Sequence, residues 1–431
     1  MKKTVYTAFS IDILHEGHIK ILKFASKYGK VVVGLLTDQA IASYKRLPHL
    51  SFNKRKYILE NVKYVTKVVP QKSLDYSENL KKLKPDYVVH GDDWKKGPQK
   101  RIRKKVLRTL KGWSGKLLEP KYTKNISSSA IREEIFKMGT TPDIRKSKLK
   151  RLINSKNIVR ILEAHNALTG LIVEKMYFSE KNKIKNEFDG MWSSSLTDSA
   201  ARGKPDNQSV DYSTRYQGLN EVLEVTTKPV IFDADNGGRL EHISFMVKTL
   251  ERSGVSAMII EDKIGLKKNS LFKNQSGAKQ DTPSNFSKKI QKAKSSAIST
   301  DFMVFARIES FILGKGLKDA LERAKKYSIA GADGILIHSK ESSPSEIFKF
   351  AKIYNKKEYA KPLICVPSTY SKTHERDLIK HGFKVVIYAN HMLRSAYPAM
   401  VKTALSILKN KRAHESENRI SSIKEIINLI K

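Results

Sequence analysis

Two α/β units in series, the second a (β/α)8 barrel, make up the fold this sequence predicts. Three observations carry that prediction. A chain of 431 residues is too long for one ordinary core and suits two domains, one of them large. Over the first 120 residues, short apolar runs alternate with segments of helical spacing. From about residue 158 a second rhythm begins, with eight apolar runs separated by stretches long enough for a helix.

In the first series KTVYTAFS (3–10), KVVVGLLTD (30–38), TKVVPQ (66–71), DYVVHGDD (86–93) and KLLEP (116–120) read as strands. Most are too continuously apolar to be half exposed. GHIKILKFASKYG, KRKYILENVK, SENLKKLK and KKVLRTLKGW, which lie between them, have helical spacing. Such alternation gives a parallel sheet covered on both faces. Around Gly139 the pattern breaks: 139–156 is basic, contains proline and is poor in large side chains. It predicts a linker between a domain over 1–138 and a second over 157–431. The second series runs IVRILEAH (158–165), FDGMWSSS (188–195), KPVIFDAD (228–235), SAMIIED (256–262), FMVFARIE (302–309), GILIHS (334–339), PLICVPS (362–368) and KVVIYANH (384–391). Seven of these eight runs close on a polar or charged group, where the loops of a barrel open and reacting groups sit.

Composition narrows the class. The chain is 40% hydrophobic and 29% charged, the balance of a globular protein. No run of about eighteen apolar residues occurs, so no membrane span is expected, and the start alternates polar and apolar residues as a strand does rather than as a signal peptide. The single cysteine, Cys365, excludes an internal disulfide and a cysteine metal cluster, and a reducing cytoplasm is the expected location. The net charge of +39 suits anionic partners, but the lysines are spread along the whole chain. The densest basic stretch, Lys95 to Arg108, lacks interleaved aromatics for base stacking, which argues against nucleic acid.

Asp233 and Asp235 stand two apart at a strand end, so both side chains leave the same face. Glu261 and Asp262 end the following strand. Carboxylates without neighbouring histidine or cysteine favour a hard cation such as Mg2+; the alternative for the aspartate pair is capture of the next loop's amides. Arg307 and His338 end the fifth and sixth strands and would bring positive charge and hydrogen-bond donors to an anion held there.

The stretch EDKIGLKKNSL (261–271), with EAHN (163–166), WSSSL (192–196), DAD (233–235), ARIESF (306–311), HSK (338–340) and ANHMLR (389–394), resembles the phosphoenolpyruvate mutase branch of the isocitrate lyase superfamily. The resemblance implies a barrel that interconverts phosphoenolpyruvate and phosphonopyruvate with Mg2+. Asp233 would hold the ion directly, and Asp235 and Glu261 through water. It further implies that Trp192, Ser194 and Leu196 frame the substrate and that Asp206 lies closest to the travelling phosphoryl group. Lys267, Asn269 and Ser270 would close over the substrate, and Arg307 and His338 would bind its anionic ends. The carbon–carbon lyases of the superfamily carry a cysteine on that closing loop, where this chain has Lys267 and Asn269. A phosphonopyruvate hydrolase is the nearer alternative, and Asn269 resembles the mutases. Association of barrels as dimers or tetramers that exchange a C-terminal helix is also implied, and the tail RISSIKEIINLIK has the amphipathic spacing for it.

In the first domain His15-Glu-Gly-His18 opens a helix after the first strand, with two imidazoles on one face beside free amides. Ile126-Ser-Ser-Ser-Ala-Ile-Arg132 opens another. With GLLTD (34–38), Lys45, Arg55 and GDDW (91–94), these resemble the glycerol-3-phosphate cytidylyltransferase family, whose HxGH domains are Rossmann-like. The resemblance implies transfer of CMP from CTP, with Mg2+, to a phosphate or phosphonate acceptor. His15 and His18 would stabilise the transition state, and Phe9, Lys45, Asp92, Ser127, Ser128 and Ser129 would bind the nucleotide. Asp12 and Asp38, at strand ends, are further candidates for the nucleotide or a metal. The chain departs from that family at Phe9 and Asn125, where glycine is usual, and at Tyr122, where an arginine is usual. A third reading, a basic nucleic-acid-binding protein on an inactive enzyme fold, is opposed by the intact carboxylates, which repel phosphodiester backbones.

Overall fold

The computed structural model describes residues 3–95, 99–121, 141–179, 186–265, 267–272 and 274–430. The chain divides into two compact units. The first holds a five-stranded parallel sheet of β1 (Thr4–Phe9), β2 (Lys30–Leu36), β3 (Lys67–Gln71), β4 (Tyr87–Val89) and β5 (Lys116–Leu118), in the order β3-β2-β1-β4-β5. Its strands are the five that the apolar runs predict. Successive side chains go to opposite faces: Val5 packs with Val31 and Val33 on one, Tyr6 and Ala8 with Val32 and Leu36 on the other. Gly34 is required by packing, because a Cβ there would fall 1.9 Å from the Tyr6 hydroxyl, which is tied to Gln71 and Asn79.

The second unit is a closed eight-stranded parallel barrel. Its strands are β6 (Val159–Glu163), β7 (Gly190–Ser193), β8 (Val230–Asp233), β9 (Ala257–Glu261), β10 (Met303–Ile308), β11 (Gly334–Ile337), β12 (Leu363–Cys365) and β13 (Phe383–Tyr388), paired in chain order, with β13 back on β6. Each lies within one of the eight predicted runs, except that β13 begins one residue earlier, at Phe383. A continuous apolar cluster including Phe232, Met258, Val304 and Ile335 fills the space among strands and surrounding helices.

The stretch expected to be a linker departs from its reading. A helix runs from Pro142 to Ser155 and buries Leu149, Leu152 and Ile153. Its basic residues are used rather than solvated. Arg145 Nη2 donates to the carbonyls of Leu223 (2.8 Å) and Thr226 (3.0 Å), and Lys148 Nζ donates to Thr227 O (2.7 Å). At the other end, the helix His391–Asn410 has no buried residue and exposes Tyr397, Met400, Leu405 and Leu408. Among the described residues no helix is long and apolar enough to cross a membrane.

Candidate active sites

In the barrel, parallel strands put their C-terminal ends at one rim, and the acidic groups collect there. Asp233 is the last residue of β8. Its Oδ2 accepts from the Ser195 hydroxyl (2.9 Å) and amide (3.3 Å), and its Oδ1 from the Asp235 amide (3.1 Å). Capture of loop amides, the alternative use of this carboxylate, is therefore part of its geometry. Asp235 holds a left-handed backbone (φ 51°), which turns its carboxylate back toward the rim. Burial would raise Asp233, but Lys267, Arg215 and Arg307 outweigh it and hold the carboxyl below its usual range. Glu261, at the end of β9, is pushed up to about 7 by burial, against the opposing pull of Arg307 and Lys263.

A flap rises from β9 and returns through a short hairpin of Lys263–Ile264 with Lys279–Gln280. It carries Lys267, Asn269 and Ser270 onto the rim. Lys267 Nζ donates to Asp206 Oδ1 (2.7 Å) and also to Asp235 and Ser195. Asn269 Nδ2 donates to the other oxygen of Asp206 (2.8 Å). Burial works against the Lys267 charge, yet Asp233, Asp235, Asp206 and Glu261 together raise its pKa, so the ammonium is firmly retained.

On the far side of the rim, Ser270 Oγ donates to Glu309 (2.5 Å) and accepts from Arg307 Nη2 (2.9 Å) and Lys263 Nζ (2.6 Å). His338 Nδ1 lies 2.9 Å from Arg307 Nη2 and 3.0 Å from Glu309 Oε1. Burial and the Arg307 charge lower the imidazole, while Glu309 opposes them.

These elements enclose a cavity of about 60 Å³. Trp192, Ser194, Leu196, Asp206, Asp233 and Glu261 line it from the barrel, with Arg307 and His338. Lys267, Asn269 and Ser270 line it from the flap, and Asp235 faces Lys267 beside it. The barrel residues singled out from the sequence thus converge on one place, except Asp262, whose carboxylate is buried away from the cavity against Arg323, Tyr327 and Gln280.

Four residues of the site were not singled out. Lys263 and Glu309 follow Glu261 and Arg307 by two positions, so the same alternation that pairs Asp233 with Asp235 would have found them. Ser195, within the quoted WSSSL, bonds both Asp233 and Lys267. Arg215 lies buried in the helix Tyr212–Glu224, bonded to Asp198 (3.0 Å) and Asp235 (3.3 Å) over the face of Phe232, and carries no local signal in the sequence.

In the N-terminal unit, His15 caps the helix Glu16–Ser26. Its Nδ1 accepts from the Gly17 amide (3.2 Å), and His18 Nδ1 accepts from the His15 amide (3.4 Å). With both Nδ1 atoms engaged as acceptors, each neutral ring carries its proton on Nε2, outward from the helix start. Burial lowers both rings; His18, further lowered by His15 and Lys45, reaches about 3. Phe9 packs edge-on to His18, with ring centres 5.3 Å apart, and Lys45 Nζ donates to Ser10 Oγ (2.8 Å). Arg55 is buried and bonds Asp38 (2.7 Å) and the carbonyls of Leu36 (3.0 Å) and Ser10 (2.5 Å), which makes it a brace between β1 and β2. Asp12 is likewise buried and accepts from the His49 amide (2.5 Å). Asp92 lies beyond β4, its amide bonded to Pro120 O (3.1 Å). Tyr122, Asn125, Ser127, Ser128 and Ser129 lie outside the described residues.

Comparison with known proteins bears on the family and the fold. The phosphoenolpyruvate phosphomutase family profile matches residues 149–408, and a cytidylyltransferase-like profile matches residues 10–134. The phosphoenolpyruvate phosphomutase of Tetrahymena pyriformis is 36% identical over 285 residues, covering 66% of this chain and 90% of its own length. A crystal structure of phosphonopyruvate hydrolase with oxalate and Mg2+ superposes with a TM-score of 0.59 at 30% identity, over 67% of this chain and 95% of that one. At the other end, the glycerol-3-phosphate cytidylyltransferase of Bacillus spizizenii is 37% identical over 95 residues, which are 22% of this chain and 74% of that enzyme. Joined to an N-terminal cytidylyltransferase-like domain, this chain belongs to the phosphoenolpyruvate phosphomutase family.

Proposed function

We propose that the barrel interconverts phosphoenolpyruvate and phosphonopyruvate, and that the N-terminal unit transfers CMP from CTP to a phosphonate or phosphate acceptor. The observation that carries the first part is the closed flap: Lys267 and Asn269 grip both oxygens of Asp206 above a cavity walled by Arg307 and His338. We also read the chain as two domains, the first ending near residue 138 and the barrel opening with the helix Pro142–Ser155.

The rim suits Mg2+. Its donors are all oxygens, from Asp233, Asp235, Glu261 and the Ser195 hydroxyl, and their combined field already draws in the Lys267 ammonium. Among the described residues no three such side chains are grouped to hold an ion by themselves. In this reading Asp233 would hold the ion directly, and Asp235 and Glu261 would act through water. When bound, it would supply charge that stabilises an enolate oxygen and a phosphoryl group.

The chain's own residues do the remainder. Arg307 and His338 bind the anionic ends of the substrate, while Trp192, Ser194 and Leu196 fix its plane. The bond from phosphorus to the enol oxygen breaks with its electron pair left on oxygen, and the methylene carbon of the resulting enolate takes up phosphorus; no proton is gained or lost. Lys267 and Asn269 place Asp206 beside the group in transit and shut out water, which would otherwise capture it and leave pyruvate and phosphate. Asn269 on the flap, bonded to Asp206, favours the mutase over the hydrolase.

In the N-terminal unit His15 and His18 are neutral donors through Nε2 toward the charge that builds on a triphosphate, and Lys45 and Phe9 border that place. Ser127, Ser128, Ser129 and Asp92 complete the nucleotide site in this reading, with Mg2+ accompanying CTP. The apolar face of His391–Asn410 supports association of barrels, as a dimer or tetramer. We place the enzyme in the cytoplasm.

The test is phosphonopyruvate and Mg2+ with ADP and pyruvate kinase present. ATP formation supports the mutase; pyruvate and inorganic phosphate without ATP overturn it.

A further inference from the structure

Asp262 directly follows the last residue of β9, Glu261, is wholly buried, and does not line the cavity. Four side-chain and backbone donors converge on its carboxylate. Oδ1 accepts from the Glu309 amide (3.0 Å) at the end of β10. Oδ2 accepts from the Tyr327 hydroxyl (2.8 Å) and Arg323 Nη1 (3.2 Å), both on the helix Gly316–Ile329, and from Gln280 Nε2 (2.9 Å), on the returning leg of the flap. The Asp262 carbonyl accepts from the Asp281 amide (2.8 Å), and Arg323 Nη1 also donates to Asp281 O (2.8 Å). The flap thus leaves β9 at Asp262 and is led back to the same residue at Gln280 and Asp281.

Gln280 shows that this convergence does more than fill space. Its side-chain oxygen is buried without a partner among the described residues, a desolvation penalty that packing alone gives no reason to carry. Its amide nitrogen is the atom in use, on Asp262 and, at 3.3 Å, on Ser310 Oγ. Ser310 Oγ in turn donates to Asp319, which holds Arg323 Nε (2.9 Å). The root of the flap is therefore clamped at both legs to a buried ion pair.

We propose that Asp262 is a positioning residue: through Gln280 and the Asp281 backbone it clamps both legs of the flap, and through the Glu309 amide it sets the carboxylate that receives Ser270. It acts on the reaction only through Lys267, Asn269, Ser270 and Glu309, so its loss loosens the lid without removing any group that touches substrate. This inference rests on the mutase reading for its chemical consequence and on geometry alone for its mechanical one.

The test uses the full-length protein and two variants, Gln280→Ala, which cuts only the tie to the returning leg, and Asp262→Asn, which weakens the whole clamp. Trypsin cleavage at Lys267 and Lys268 in the absence of substrate reads the flap directly. Gln280→Ala should raise it about ten-fold with an unchanged melting temperature. The share of phosphonopyruvate ending as pyruvate and phosphate should rise about five-fold or more, as expected for misplaced flap groups. Asp262→Asn should move both readouts in the same direction and further. Flap cleavage at the wild-type rate in Gln280→Ala overturns the proposal, and so does faster cleavage spread over the whole barrel with a lowered melting temperature. If the wild-type enzyme itself yields only pyruvate and phosphate, the mutase reading fails, while the cleavage rates still decide the role of Asp262.

Discussion

In the proposed reading both sites hold negative charge on phosphorus, and the two arrangements of side chains differ. At the barrel rim fixed charges are buried and saturated with partners: Lys267 on Asp206 and Asp235, Arg307 on Glu309 and Glu261, Arg215 on Asp198 and Asp235. At the helix start in the N-terminal unit the two imidazoles are neutral, with Lys45 the nearby cation. A cavity of about 60 Å³ gains from charges placed before the substrate arrives, because little water remains to reorganise. A site proposed to release pyrophosphate would gain from neutral donors that add to the single charge of Lys45 without holding the leaving group too tightly. The difference teaches that the barrel should fail sharply when one charge is removed, and the N-terminal site more gently.

Substitutions can break that contrast. The largest effect belongs to Asp206→Ala, expected to lower phosphonopyruvate turnover roughly 10³-fold while CTP turnover stays intact, measured on the same preparation. His18→Ala should do the reverse, with pyrophosphate release from CTP and glycerol 3-phosphate falling roughly 10²-fold and the barrel unaffected. Equal loss of both activities in either variant would erase the distinction. Arg215→Met leaves the buried Asp198 carboxylate without its paired cation and should lower the stability of the barrel by about 3–5 kcal/mol, read by calorimetry.

The smallest effect sharpens the comparison through pH. Burial holds His18 near 3 in the fold against an ordinary value of 6.5, so the unfolded chain binds the proton first as pH falls. Stability from the neutral ring is complete above about pH 6.5 and declines toward pH 3. Between about pH 7.5 and pH 5 the N-terminal unit should lose about 2 kcal/mol in urea unfolding, a slope that His18→Gln should flatten.

Much of this was readable in the residues themselves. Runs such as VIFD and AMIIE announce strands because a barrel strand buries both faces, and acidic or basic groups directly after them mark the rim. The helix Pro142–Ser155 was not readable as such, since composition treats Arg145 and Lys148 as solvated while the fold spends their donors on carbonyls at loop ends. Arg215 escaped for a related reason: its partners Asp198 and Asp235 lie 17 and 20 residues away, and only the barrel's closure brings them together. Glu309 and Lys263 escaped although period-two alternation could have revealed them.

The central claim is that phosphorus moves within a closed pocket and never meets water. Phosphorus NMR of phosphonopyruvate with Mg2+ in 18O-enriched water examines it directly. The expected result is a phosphoenolpyruvate resonance without any isotope-shifted inorganic phosphate; inorganic phosphate carrying 18O as the sole phosphorus product would contradict it.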